Sequence, residues 1–226
     1  MALAELSVLL ADLFSHPVVC AELLGTGNPD GLLPAEAKHV VRAVASRREE
    51  FAAGRECARR ALREFGIVDF PLQAAEDRRV LWPEGFTGSI THTKGFCAAA
   101  VAQRRAVRAV GIDTERNRSV KPELWPRICE PEMEWLSGLH EIHRAAAATL
   151  IFCIKEAFYK CQYELTGQYL GFSDAHVELA EWNEMAGSFA VHPCKPIQLA
   201  QHMGLPLTGR YRFHREFVTA ATAVPQ

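Results

Sequence analysis

Asp113 and Glu115 stand two apart in the segment Gly111-Ile-Asp-Thr-Glu115. In a strand, alternate side chains share a face, so the two carboxylates would point the same way, about 7 Å apart along the chain. Two such charges repel unless a cation or protons compensate. Hard carboxylate oxygens so arranged suit Mg²⁺, which usually takes one or two carboxylates and completes its shell with phosphate oxygens and water. The same pair also fits the solvated end of an ordinary strand. A second group lies in Leu150-Ile-Phe-Cys-Ile-Lys-Glu-Ala-Phe-Tyr-Lys-Cys161. At about 100° per residue, Ile151, Ile154, Phe158 and Cys161 form one narrow arc that should face a core. Lys155, Glu156, Tyr159 and Lys160 fall on the opposite arc. Glu156 and Lys160 are i, i+4 neighbours, a spacing that by itself only stabilises a helix. The third group is Gly88-Ser-Ile-Thr-His92, whose hydroxyls and imidazole can donate to a phosphate, although a lone histidine near a strand also serves structure alone.

Arg42, Arg47, Arg48, Arg55, Arg59, Arg60 and Arg63 crowd one short stretch. Arginine forks match phosphate oxygens, but Glu49, Glu50, Glu56 and Glu64 in the same stretch also allow a solvated, salt-bridged face. Other chemistries lack their residues. There is no Walker A loop and no GxSxG elbow, and His140-Glu-Ile-His143 is one residue short of a zinc-protease helix. The glycines of Gly25-Thr-Gly-Asn-Pro-Asp-Gly31 are misplaced for a dinucleotide fingerprint, and the segment reads as a turn.

The elements that must position these groups follow from pattern. Residues 16–24 read as a strand and 35–65 as a helix with Phe51, Ala58, Leu62 and Phe65 on one face. Residues 69–85 are irregular. Residues 95–102 read as a buried strand and 107–115 as another, and the turn at 103–106 suggests that the two form a hairpin. Residues 145–163 are strongly helical, and 218–224 read as a closing strand. Helices and hairpin-like strands without a βαβ rhythm favour an α+β fold.

The totals exclude several classes. The chain has 226 residues, a formal net charge of -2 and 49% hydrophobic residues, enough for one large domain or two small ones. That charge offers no global field for nucleic acid or an anionic membrane. Seven cysteines without a CxxC pair read as reduced thiols of a cytoplasmic protein. Glu5 and Asp12 break the first apolar run, which argues against a signal peptide, and no run approaches the ~18 residues of a membrane span.

Taken together, Gly111-Ile-Asp-Thr-Glu115 and, some forty residues on, Phe152-Cys-Ile-Lys-Glu-Ala-Phe-Tyr-Lys160 resemble the paired signature of the phosphopantetheinyl transferase superfamily. Arg47-Arg-Glu-Glu-Phe-Ala-Ala-Gly-Arg55, Trp82-Pro83 and Gly88-Ser-Ile-Thr-His92 look like the upstream elements of its single-chain, enterobactin-synthetase-type branch. The resemblance covers about residues 40–172; the last ~50 residues carry no diagnostic motif. It implies an α+β fold of two similar halves, 1–107 and 108–226, related by a pseudo-twofold with coenzyme A in the cleft between them. It further implies a monomer that transfers 4′-phosphopantetheine to a serine of an acyl or peptidyl carrier protein. Asp113, Glu115 and Glu156 would then hold Mg²⁺, and Lys155 and Lys160 would neutralise phosphate charge. Thr91 and His92 would contact phosphate, Arg47 and Arg55 would reach the 3′-phosphate, Arg79 would be a further phosphate contact, and Glu156 would be the base. A carrier-docking surface is expected near Met133, Trp135 and Leu136, with Arg127 and Arg144 close by. Trp135 and Leu136 equally fit a helix core. A coenzyme A- or carrier-binding module without chemistry and a Mg²⁺-dependent nucleotide phosphohydrolase are the rival functions.

Overall fold

A computed structural model describes residues 9, 10, 12–198 and 203–226. The apolar run at 96–103 becomes β3 (Phe96–Gln103), the middle strand of an antiparallel sheet between β1 (Val19–Leu24) and β2 (Phe86–Thr93). Both faces of β3 are covered, which is why its sequence does not alternate. Cys97, Ala99 and Val101 lie under α2 (Ala45–Arg63) with Ala53, Cys57, Ala61 and Leu62. Phe96, Ala98, Ala100 and Ala102 face the other way, onto Val110, Ile112, Phe217 and Ala221 of the second sheet. Alanines on both sides let helix and sheets approach closely.

The second sheet contains β4 (Val107–Arg116), β5 (Ala175–Leu179), β6 (Ala186–Pro193), β7 (Leu207–His214) and β8 (Phe217–Pro225), all antiparallel in the order β4-β8-β7-β6-β5. Across it lies α5 (Glu141–Thr166), which buries Ile151, Ile154, Phe158 and Cys161 as their spacing predicts. Gly167 ends that helix in a left-handed conformation with φ of 62°, as a C-terminal glycine commonly does. Short helices α3 (Trp125–Ile128) and α4 (Met133–Gly138) close the end of the core.

Several elements depart from the sequence reading. Residues 96–103 and 107–116 do not form a hairpin. Both edges of β3 are taken by β1 and β2, so β4 pairs with β8 instead. The expected closing strand, β8, is therefore interior, between β4 and β7. The helix expected at 35–65 splits into α1 (Pro34–Ala37) and α2. Glu36 explains the break: it is fully buried, accepts from Leu33 N and Leu72 N, and pairs with Arg59 at 2.5 Å. That pinned carboxylate fixes the first turn, and the β-branched Val40, Val41 and Val44 do little to carry the helix on. Leu136 is core at 1% exposure, which removes it from any docking surface, whereas Trp135 stays partly exposed against Trp182. All seven cysteines are free. Among the described residues no helix is long and apolar enough to cross a membrane.

Candidate active site

The two sheets meet where β2 runs beside β4. The edge of β4 away from β8 leaves backbone N–H groups without a strand partner, and unpaired buried donors are costly. Hydroxyls of β2 supply the bonds: Ile112 N donates to Ser89 Oγ at 3.1 Å, and Thr114 N to Thr91 Oγ1 at 2.9 Å. These clips carry His92 and Thr93 alongside Asp113 and Glu115. Thr91 and Thr93 then donate to the carboxylates themselves, at 3.2 Å to Asp113 Oδ1 and 3.2 Å to Glu115 Oε2. The signal in the sequence is the alternation Thr87, Ser89, Thr91, Thr93, a hydroxyl at every second position and hence on one face.

Helix α5 is brought to the same place by Gly111. A Cβ there would lie 1.9 Å from Ala157 O and 2.9 Å from Cys161 Cβ. Only glycine allows this approach, and Glu156 and Lys160 each precede one of the two helix residues it touches. Lys160 Nζ donates to Ile112 O at 3.0 Å and to Asp113 Oδ1 at 2.8 Å. It thus pairs across to the strand rather than along the helix with Glu156.

The charges are poorly balanced. Asp113 is 6% exposed, and its Oδ2 has no hydrogen-bond partner. Burial pushes the Glu115 carboxyl up to about 7, Asp113 and Glu156 push the same way, and the bond from Thr93 and the charge of Lys160 only partly oppose them. Glu156 is raised by burial and then by Asp113. Burial acts to lower Lys160, but Asp113 and Glu156 outweigh it and leave that ammonium raised. One lysine thus faces three acids. Among the described residues no three His, Cys, Asp or Glu side chains converge closely enough to hold a metal ion by themselves. An orphaned carboxylate oxygen beside two acids short of compensating charge fits a Mg²⁺ that brings phosphate oxygens as its remaining ligands.

On the β2 side, Arg47 Nη1 stands 3.0 Å from His92 Nε2 and 3.2 Å from Glu50 Oε2. Arginine only donates, so His92 accepts through Nε2 and keeps its proton on Nδ1. Burial lowers His92, and Arg47 and Lys160 lower it further against Glu50 and Asp113. Arg55 is 5% exposed, lies over the Phe51 ring and donates from Nε to Leu72 O. Burial brings its guanidinium down to about 10; Glu36 opposes this, while Arg47 and Arg59 add to it. Crowded, desolvated arginines gain from an anion. Arg79 is held by Asp77 at 2.7 Å and lies over Tyr163. Arg79 and Lys160 open on one cavity of about 270 Å³, with Trp82 laid against Gly88. A second cavity, of about 310 Å³, opens beside Glu156 and is also lined by Arg127, Tyr159 and Tyr169. Hollows of about 630 and 700 Å³ lie elsewhere and contain none of these groups; chemistry, not size, selects the smaller pair.

Lys155 is the residue that the structure does not bring to this cluster. It is not on an exposed arc but is 2% exposed. Its Nζ donates to Ile128 O and Phe172 O, both at 2.9 Å, and lies 2.8 Å from Glu132 Oε2, an ion pair by distance rather than an aligned hydrogen bond. The helix is buried on two sides, which a single apolar arc could not reveal.

Comparison with known proteins identifies the family. The 4′-phosphopantetheinyl transferase N-terminal domain family matches residues 35–102, and the 4′-phosphopantetheinyl transferase superfamily matches residues 109–208. The 4′-phosphopantetheinyl transferase PptT of Mycobacterium tuberculosis is 39% identical over 178 residues, 76% of this chain and 75% of that protein. The 4′-phosphopantetheinyl transferase Npt of Nocardia iowensis is 36% identical over 182 residues, 77% and 79% of the two chains. Enterobactin synthase component D of Escherichia coli is 36% identical over 155 residues, 65% and 71%. The chain belongs to the 4′-phosphopantetheinyl transferase superfamily.

Proposed function

We propose that this protein transfers 4′-phosphopantetheine from coenzyme A to a serine hydroxyl of an acyl or peptidyl carrier protein, releasing 3′,5′-ADP. The observation that carries the reading is Asp113, with Lys160 on one oxygen and nothing on the other, beside Glu115 and Glu156. The relatives named as phosphopantetheinyl transferases support the same reaction.

Asp113, Glu115 and Glu156 would hold Mg²⁺ together with pyrophosphate oxygens. When bound, the ion supplies charge neutralisation for the transferred group. The chain's own residues do the rest. Lys160, fixed by Ile112 O and Asp113, presents positive charge where phosphate charge grows. His92 contacts phosphate while Thr91, its hydroxyl committed to Thr114 N and Asp113, holds that carboxylate in place; Arg47 and Arg55 take the 3′-phosphate end, and Arg79 contributes from the cavity it shares with Lys160. Glu156, its carboxyl raised by burial and by Asp113, takes the serine proton. A bond forms between the serine oxygen and the β-phosphorus. The bond from that phosphorus to the bridging oxygen breaks, and 3′,5′-ADP leaves with the oxygen.

Coenzyme A would lie between two halves, 1–107 and 108–226, related by a pseudo-twofold. Each half has one sheet with one long helix packed on it, which supports this arrangement. Both sides of the site come from one chain, so a monomer suffices in the cytoplasm. The test is mass spectrometry of an apo-carrier incubated with the protein, coenzyme A and Mg²⁺. A gain of one phosphopantetheine is expected. Cleavage of coenzyme A without a carrier would mark a hydrolase instead, and binding without either product would mark a binding module.

A further inference from the structure

Lys155 stands beside Glu156, yet its ammonium is turned away from the acids. Two of its three N–H groups donate to main-chain carbonyls, Ile128 O at the end of α3 and Phe172 O after α5. The charge itself is matched by Glu132, 2.8 Å away and 2% exposed. Glu132 Oε1 in turn accepts from Val177 N of β5 at 2.7 Å. One lysine therefore ties together the end of α3, the turn before α4, the segment after α5 and the first residues of β5. Those segments supply Arg127, Phe172 and Ala175 to the cavity of about 310 Å³ into which Glu156 opens, and Lys155 itself forms part of that wall.

We infer that Lys155 is a positioning residue for transfer, tied to Glu132 to hold the wall of the cavity beside Glu156, and not a phosphate ligand. The inference rests on the proposed reaction for its kinetic consequence. A phosphate ligand would have to release carbonyls and a carboxylate that no other described group replaces. Leaving Glu132 buried without its cation would be strongly unfavourable. The tie is also local: it fixes backbone that packs directly against the helix turn bearing Glu156, where a shift of about 1 Å can cost about a hundredfold in rate.

The experiment compares Lys155→Met, Glu132→Gln and the double variant Lys155→Met/Glu132→Leu with wild type. Three readouts are taken: calorimetric binding of 3′,5′-ADP, which has phosphates but no pantetheine arm; kcat and KM for carrier modification; and hydrogen exchange in peptides covering 128–133 and 170–177. Both single variants should lower kcat/KM by about tenfold to a hundredfold. They should leave 3′,5′-ADP affinity within about twofold, and exchange in both peptides should accelerate. The double variant should lose no more activity than either single one, because the two residues act as one unit. Should a single variant fail to fold, the double decides alone, since replacing both members of a buried pair with apolar groups is often well tolerated. A loss of 3′,5′-ADP affinity of about tenfold in Lys155→Met or in the folded double variant would assign the lysine to phosphate. Wild-type kcat/KM in folded Glu132→Gln would equally overturn the inference. If wild type modifies no carrier, the proposed reaction fails, while hydrogen exchange and 3′,5′-ADP binding still judge the tie.

Discussion

Gly111→Ala is the substitution whose consequence can be worked most directly from the structure. The added Cβ would stand 1.9 Å from Ala157 O, against 3.4 Å or more in ordinary contact. Strand and helix must therefore separate by about 1.5 Å, because the obstacle is backbone and cannot rotate away. Overpacking of this kind costs about 1–3 kcal/mol, and replacing glycine within a strand returns only about 0.5–1 kcal/mol. The net cost is at most about 2.5 kcal/mol, so for a chain of this size the melting temperature should fall by no more than about 10 °C. That leaves most molecules folded at assay temperature, since domains have about 5–15 kcal/mol in hand. Activity should suffer far more. Lys160 reaches Asp113 at 2.8 Å from the helix that would move, and a displacement of about 1 Å is worth about a hundredfold in rate. The assay is a thermal melt together with steady-state carrier modification. Gly138→Ala serves as the control, because nothing lies within 4 Å of a Cβ added there. If folded Gly111→Ala keeps wild-type turnover, the close approach of α5 and β4 does not set the site.

Asp113→Asn keeps an acceptor for Lys160 but removes the charge beside the orphaned Oδ2, so transfer should nearly vanish in a protein that still melts cooperatively; near wild-type turnover in EDTA-treated, Mg²⁺-replenished buffer would refute the metal assignment. Arg47→Ala should weaken coenzyme A by about tenfold to a hundredfold while barely affecting 3′-dephospho-coenzyme A, and equal losses in calorimetry would show that Arg47 does not read the 3′-phosphate. Glu115 has its folded pKa raised from 4.5 to about 7, so the folded state holds the extra proton and stability falls as pH rises through that window. In EDTA, Glu115→Gln should therefore raise the melting temperature relative to wild type at pH 7.5 and have little effect at pH 4; a pH-independent difference would contradict the shift.

The chemistry was more legible in the sequence than the connections. Period 2 put Asp113 and Glu115 on one face, and period 3.6 put Glu156 and Lys160 on one helix side; local geometry suffices for both. What joins strand and helix is a missing atom, the Cβ of Gly111, and no periodicity reports it. The hairpin reading failed because edge availability is non-local: β3 looks free to pair with β4 until β1, some eighty residues earlier, takes its other edge. The buried Glu36–Arg59 pair was hidden for the same reason, since 23 residues separate its members and each looks like a surface charge.

Lys155 and Lys160 show why burial alone does not tell structure from function. They are five residues apart on one helix, and each neutralises a buried carboxylate at 2.8 Å. The difference lies in what the carboxylate has left over. Glu132 Oε1 accepts from Val177 N, and Oε2, although it has no aligned hydrogen bond, lies 2.8 Å from the lysine ammonium, so that pair is closed by charge. Asp113 spends Oδ1 on Thr91 and Lys160 and leaves Oδ2 with no partner, while Glu115 and Glu156 beside it are pushed toward protonation. A folded chain tolerates such an unbalanced group only where something else compensates it part of the time. The incompleteness of the Asp113 pair, not its depth, is what the proposed cation and pyrophosphate would complete.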